Sequence, residues 1–357
     1  MEGDTVKVAI IGAGASGLML SRILNEMNIS YTLFERKKAG RKLLASGNGR
    51  CNISNINIDS NSYLNNSFAY NLVKNNQKEL FDLFEKLNIY TYSDNEGRLY
   101  PISESSQSVY NILTEKINNI EYITINEINK INNKYYLNKI YGPFDYVAIT
   151  IGSNASINEE YSYNLLDNIG VKYIEFKPSL VGFKLKEKTK EISGVRQKCI
   201  IKLLDNNKII YSEKGEIIFK NDGISGICIM NASAFYNHYP NKNNLLLSID
   251  LLNGVKYNSL SSVLKPDLLN YINKYNLDPT NLLFNIVDTY DIKNAQVGYG
   301  GINLNEVNNN LSYKKDDNIY FGGEVLDCDG VCGGYNLMLA FCSAIVISRS
   351  IYEISNK

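Results

Sequence analysis

Gly12, Gly14 and Gly17 carry the spacing G-x-G-x-x-G, and an acid, Glu35, follows about 20 residues further on. Each position has a physical job. The first glycine permits a tight turn, the second lets backbone approach a pyrophosphate, and the third lets a helix and a strand pack closely. Ala15 and Ser16 then open a helix whose free N–H groups face the phosphates. Glu35 can accept hydrogen bonds from ribose hydroxyls, and an acid there favours a free 2′-OH, as in FAD or NAD. The chemistry is dinucleotide binding.

Arg36-Lys37-Lys38-Ala39-Gly40-Arg41-Lys42 follows at once. Alone, such a cluster reads as a nucleic-acid patch or a solvated loop. Directly after Glu35 it reads as cofactor contact, with Arg36, Arg41 and Lys42 the candidates and the last two placed to neutralise pyrophosphate. No second G-x-G-x-x-G follows a strand. Val297-Gly298-Tyr299-Gly300-Gly301 has the wrong spacing, so no dedicated NAD(P)H domain is expected; NAD(P)H as a transient electron donor, another donor, and direct oxidation of substrate by the bound cofactor are equally compatible.

The elements needed to position these residues are visible in the pattern. Val6 to Ile11 is a short β-branched apolar run, as a buried parallel strand should be. Leu18, Leu20, Ile23, Leu24 and Met27 give a helical spacing that ends at Asn28, and Tyr31 to Glu35 gives a second strand. Helices are expected at Phe68 to Leu87 and Ser106 to Ile117. Short strands are expected at Tyr122 to Ile125, Ile128 to Ile131 and Tyr135 to Ile140, and a buried strand at Asp145 to Ile151. From about Glu175 the texture turns to short β-rich runs: Leu180 to Leu185, Lys198 to Leu204, Ile209 to Ser212 and Leu245 to Leu251. Ser259 to Tyr275 reads as helical. Ile319 to Gly323 returns to the buried-strand pattern. Leu337 to Ile347 reads as a buried helix, well short of the ~20 residues of a membrane span. Asn241 to Asn244 and Asn305 to Asn310 read as polar loops.

Composition sets bounds. The chain has 357 residues, 37 basic and 37 acidic, with a formal net charge of zero. That argues against a protein whose main task is gripping nucleic acid or an anionic membrane. One histidine, His238, cannot build a multi-histidine metal centre, and it reads as a loop residue. The six cysteines form no C-x-x-C pair and read as free thiols, Cys328 and Cys332 beside a glycine-rich turn among them. No metal site is expected. Met1 to Lys7 lacks a signal-peptide pattern, and a cytoplasmic location is the expectation.

Further segments carry a resemblance. Gly40-Arg41-Lys42-Leu43-Leu44-Ala45-Ser46-Gly47-Asn48-Gly49-Arg50-Cys51-Asn52 resembles the signature of the BaiN-type (YhiN-like) flavoproteins, also labelled NAD(P)/FAD-dependent or aminoacetone-oxidase-family enzymes. Glu96 to Ser103, Gly215 to Gly226, Gly323-Glu324-Val325-Leu326-Asp327 and Gly333-Gly334-Tyr335-Asn336 match further family segments, in order, across nearly the whole chain. The strand end Thr150-Ile151-Gly152-Ser153 departs from the family's usual Gly-Gly, and Asn253 to Gly298 is short.

The resemblance implies an α/β two-dinucleotide-binding-type FAD domain, discontinuous in sequence, with an inserted β-rich, barrel-like domain and a short helical segment. The expected boundaries are 1–174 and 296–357 for the FAD domain and 175–295 for the insert. It implies that Ile128 touches adenine through its backbone, that Thr150 and Gly152 lie at the cofactor, and that Asp327 faces the ribityl–pyrophosphate region. Gly333 to Asn336 would open the last helix toward the flavin pyrimidine edge, where N–H groups and dipole stabilise reduced flavin. Arg50, Cys51 and Asn52 become cofactor or substrate contacts, with Cys51 also readable as a small buried residue. Tyr100 is a candidate proton donor beside its ordinary reading as a packing aromatic.

The implied activity is hydride transfer between flavin N5 and a small organic substrate in a cavity between the two domains. In its most concrete form it reduces an activated C=C bond of an enone, steroid- or bile-acid-like. Amine or aminoketone oxidation and flavin-dependent RNA modification are the alternatives. Substrate, oligomeric state and any redox role of Cys51 are left open.

Overall fold

Lys7–Ile11 buries four of its five residues and forms the centre of a six-stranded sheet. The computed structural model describes residues 6–157, 162–242 and 245–355. Met1 to Thr5, on which the leader expectation mainly rests, lie outside the described residues, as do Asn243 and Asn244 of one Asn-rich loop. The strand order is Ser312–Tyr313, Asp316–Phe321, Tyr146–Ile149, Lys7–Ile11, Ser30–Glu35, Ile120–Tyr122. Every pairing is parallel except at the Ser312–Tyr313 edge. A parallel sheet needs both faces covered, which is why these strands are near-continuous apolar runs. Ligands bind such sheets beyond the carboxyl ends of the strands. Here those ends deliver Gly12, Glu35, Gly152 and Gly323.

The chain forms two compact units. One comprises 1–154, 158–176 and 299–357; the other comprises 155–157 and 177–298. In the first, Ala15–Glu26 is the helix after the glycine turn, Ser67–Lys86 a long amphipathic helix capped by the Asn66 side chain, and Tyr335–Ser355 the last helix. That last helix is longer than the apolar run Leu337 to Ile347. Over Tyr335–Ile354 it is apolar enough by length and composition to cross a membrane, but 72% of that window is buried, so its apolar surface is used in the core. Gly322 marks how closely it approaches the first helix: a Cβ there would stand 2.8 Å from Ser16 Oγ and 2.9 Å from Ile347 Cδ1.

The second unit is a closed antiparallel barrel of Phe183–Leu185, Gly223–Ser225, Lys208–Phe219, Arg196–Asp205, Leu246–Asp250 and Leu282–Thr289. It has its own apolar core around Phe183, Phe219 and Phe284. Closure leaves no open sheet edge.

Several local expectations are corrected. Ser259 to Tyr275 is not one helix: a short turn at Leu260–Ser262 precedes the helix Pro266–Tyr275, because Pro266 starts a helix readily and cannot continue one. His238 ends the helix Ile227–His238 rather than lying in a loop. The strand expected from Tyr135 to Ile140 is Lys134–Leu137 and ends three residues earlier, and a further strand that was not expected follows at Tyr141–Phe144. The strand expected at Tyr122 to Ile125 lies earlier, at Ile120–Tyr122.

Candidate functional site

The glycine turn is fixed from behind. Thr150 is buried, its hydroxyl donating to Gly12 O at 2.7 Å and its N–H to Ile11 O. Gly12 has φ +105°, and a Cβ there would lie 2.6 Å from Thr150 O. At Gly17 a Cβ would lie 1.9 Å from Gly12 O. Gly14 is different: the nearest atom to its Cβ position is Thr150 O at 3.9 Å. The helix that follows has no side-chain cap and no acid in its first turn. Its leading N–H groups, from Ala15 and Ser16 onward, are unclaimed by such a side chain and suit an anion.

Glu35 is held at the same place. Its carboxylate accepts from Ala13 N–H at 2.8 Å and Lys37 N–H at 3.0 Å. Each oxygen keeps lone pairs for a ribose hydroxyl. Ser16 Oγ lies 3.0 Å from Ser343 Oγ, which accepts from Gly323 N–H, so the helix start is tied to the last helix and the turn after the Asp316–Phe321 strand.

Lys42 has a different setting from the one expected. Its ammonium donates to Glu324 Oε2 at 2.7 Å and Ser153 Oγ at 2.9 Å, and Ser153 Oγ donates to Glu324 Oε1 at 2.7 Å. Gly152, at φ +67°, lies against this group, a Cβ there standing 3.6 Å from Glu324 Oε2. Arg41 makes no hydrogen bond or ion pair among the described residues. Ser153 was not among the expected contacts; the signal for it was the Gly-Ser that replaces the usual Gly-Gly.

A second group surrounds the start of the last helix. In the amide orientation that pairs both ends, Asn52 donates to Ser54 O and Leu99 O and accepts from Gly334 N–H at 3.1 Å. Asn55 donates to Gly333 O, and Asn336 holds Gly330 through both its N–H and its carbonyl. Tyr335 donates to Asn57 O. One of the helix-opening N–H groups is thus already capped by Asn52. The buried Ser54 hydroxyl has no partner among the described residues. Asp327 accepts from Gly300 N–H at 3.1 Å.

Cys51 is fully buried at φ +62°, and burial pushes its thiol up to about 11 despite a hydrogen bond with Ser46. A thiol so held is a poor nucleophile at neutral pH. Arg50 stacks over the Tyr100 ring at 4.9 Å, and Tyr92 stacks on Tyr100 with ring centroids 5.8 Å apart. Tyr100 is 5% exposed, and its hydroxyl makes no hydrogen bond among the described residues.

Ile128 is not brought into either group by its amide: Ile128 N–H donates to Asn168 Oδ1 at 2.7 Å. Arg36 directly follows Glu35 and is partly exposed. Among the described residues no group of three or more His, Cys, Asp or Glu is placed to hold a metal ion.

The residues fit FAD on three observations of this structure: the open space at Gly14 where phosphate would approach, the fixed acceptor at Glu35, and the orphaned Ser54 hydroxyl beside Gly334. Comparison with known proteins agrees. The family described as HI0933-like protein Rossmann domain matches residues 6–350. The chain is 27% identical to a 3-dehydro-bile acid delta(4,6)-reductase of Clostridium scindens, covering 97% of this chain and 99% of that protein. It is 24% identical to a ribosomal RNA dihydrouridine synthase of Escherichia coli, covering 96% and 97%. Among solved structures, the open conformation of a flavocytochrome c3 fumarate reductase superposes with a TM-score of 0.52 at 11% identity, over 99% of this chain and 79% of that one, a likeness of fold. The chain belongs to the HI0933-like family and is an FAD-dependent oxidoreductase built on a discontinuous Rossmann-type domain.

Proposed function

We propose that this protein reduces a C=C bond conjugated to a carbonyl in a small organic substrate, a steroid- or bile-acid-like enone being the most concrete case. One observation carries the reading. The bile acid reductase and the Escherichia coli dihydrouridine synthase, each matched over nearly its whole length, are named for one reaction type. A delta(4,6)-reductase of a 3-dehydro bile acid and a synthase of dihydrouridine both saturate a C=C bond beside a carbonyl. When bound and reduced, the FAD would supply the hydride. The glycine turn and the first helix hold the diphosphate, Glu35 holds the ribose, and Arg41 supplies positive charge. Tyr100, whose hydroxyl makes no hydrogen bond among the described residues, is the candidate donor of the proton that reaches the carbon next to the carbonyl. NAD(P)H is the proposed transient electron donor.

The test is anaerobic mixing of the reduced holoprotein with a 3-keto-4-ene steroid. Flavin reoxidation with a product heavier by two hydrogens is expected. Reoxidation by oxygen alone, with peroxide formed when an aminoketone is supplied, would sink this reading in favour of an oxidase.

A second reading, RNA modification, has its own observation. Tyr92, exposed and stacked on the buried Tyr100 ring, offers an aromatic face of the kind on which a base stacks. Between residues 36 and 58 there are six cations and no acid. It stands second because the whole chain carries no net charge. Absence of salt-sensitive binding to single-stranded RNA would remove it.

A further inference from the structure

Lys42, Ser153 and Glu324 come from three separate segments that follow three strands of the main sheet, Ser30–Glu35, Tyr146–Ile149 and Asp316–Phe321. Lys42 and Glu324 are 282 residues apart in sequence. Their side chains retain 29% and 18% of their exposure, and Ser153 is 1% exposed. The hydroxyl of Ser153 closes the triangle: it accepts from the ammonium and donates to the carboxylate oxygen that Lys42 does not use. A half-buried pair with its remaining hydrogen bonds satisfied is screened little by salt, and removing one partner leaves an uncompensated charge.

We propose that this triangle is a positioning clasp for the dinucleotide and that Lys42 is not a counter-ion of its diphosphate. The proposal rests on the FAD reading of the site. Lys42 meets its charge requirement within the protein, before any ligand binds. The clasp is electrically neutral as a unit, so it contributes shape rather than field. It ties the Arg36 to Lys42 loop to the Gly152 and Gly323 turns and so fixes where Arg41, which has no partner among the described residues, is presented. Ser153 is the distinctive member, because glycine at this position would leave the ion pair without its bridge.

The two roles for Lys42 predict opposite signs at Glu324. If Lys42 neutralised the diphosphate directly, Glu324→Gln would free the ammonium and remove a competing negative charge, and FAD would bind more tightly. If the triangle is a clasp, Glu324→Gln loosens the loop, and FAD binds about tenfold more weakly. The experiment is a flavin-fluorescence titration of full-length protein with FAD at low and high salt, alongside a thermal melt of each variant. Lys42→Met and Glu324→Gln should each weaken FAD binding, and the double variant should be no worse than the weaker single one. Lys42→Arg should recover much of the loss, and the losses should persist at high salt. Ser153→Gly, which adds no bulk and keeps the ion pair, covers the case in which a charge variant fails to fold, and it too should bind FAD more weakly. Unchanged or tighter binding by Glu324→Gln, or single losses that simply add in the double variant, overturns the clasp. Wild-type protein that takes up no FAD in the same titration defeats the FAD reading instead.

Discussion

Gly14 and Gly17 belong to one motif but have opposite surroundings, and this separates folding from binding at single-residue resolution. Gly14 has φ −79°, which any residue adopts, and nothing within 3.9 Å of a Cβ. Gly14→Ala should therefore change the stability of FAD-free protein by no more than ~0.5 kcal/mol. The same methyl group would occupy the space where a phosphate must approach, so FAD affinity should fall at least tenfold. Gly17→Ala drives a Cβ into Gly12 O and should cost about 1–3 kcal/mol of stability by overpacking. Thermal melts without FAD and titrations with it check both; an alanine at position 14 that binds FAD normally would contradict the assigned site. The three glycines and Glu35 were legible because each acts through backbone geometry that a short local pattern encodes. The clasp was not: Lys42 finds Glu324 only after the sheet brings distant strand ends together, and no spacing rule reaches that far.

At the scale of elements, the hairpin of Thr91–Ser93 and Arg98–Pro101 displays Tyr92 and Tyr100 side by side, and Asp94 makes its turn. Its carboxylate accepts from the N–H groups of Glu96 and Arg98 and from Arg98 Nε at 2.7 Å. Burial pushes the Asp94 carboxyl up, but the Arg98 hydrogen bond and the two backbone N–H groups together outweigh it and hold it below its ordinary value. The sign follows: this stabilisation is present above the ordinary carboxylate range and is lost as pH falls through the lowered value. Asp94→Asn should cost about 1–2 kcal/mol at neutral pH. It should also flatten the acid limb of the stability curve, measured by denaturant midpoints across pH; an unchanged acid limb would show that the turn does not depend on the charge. Amphipathic helices such as Ser67–Lys86 were legible because one polar face alternates with one apolar face. Ile227–His238 was not, because its sequence is apolar nearly all round and buries Cys228, Ile229, Ala232, Ala234 and Tyr236. A helix without a polar stripe has no period to detect. Tyr141–Phe144 was missed for a different reason: it holds Gly142 and Pro143, residue types depleted in strands, yet it is the last strand of a three-stranded sheet.

At the scale of the molecule, the discontinuous FAD domain with its barrel insert was legible from motifs at both ends of the chain, with β-rich texture between them. The physical consequence concerns ligand linkage. Residues 1–154, 158–176 and 299–357 form a unit with its own core, and 155–157 with 177–298 form another, with a separate core in the barrel. Every residue assigned to FAD lies in the first unit. A ligand that binds only the folded form stabilises it by about 2.7 kcal/mol at a hundredfold excess over its dissociation constant. That gain should therefore fall on the first unit, whose last strand and last helix must be in place before Glu324 and Gly334 reach the site. Hydrogen exchange with and without saturating FAD reads this directly. Slowed exchange is expected at the glycine turn, around Lys42 to Asn52 and at the start of the last helix, with the barrel strands Arg196–Asp205 and Lys208–Phe219 unchanged. FMN, which lacks the adenosine that Glu35 and the first helix would recognise, should give much weaker protection at the glycine turn. Equal protection by FMN would mean that Glu35 and the first helix do not read the adenosine, and protection spread evenly through the barrel would mean that the site is not built by the first unit alone.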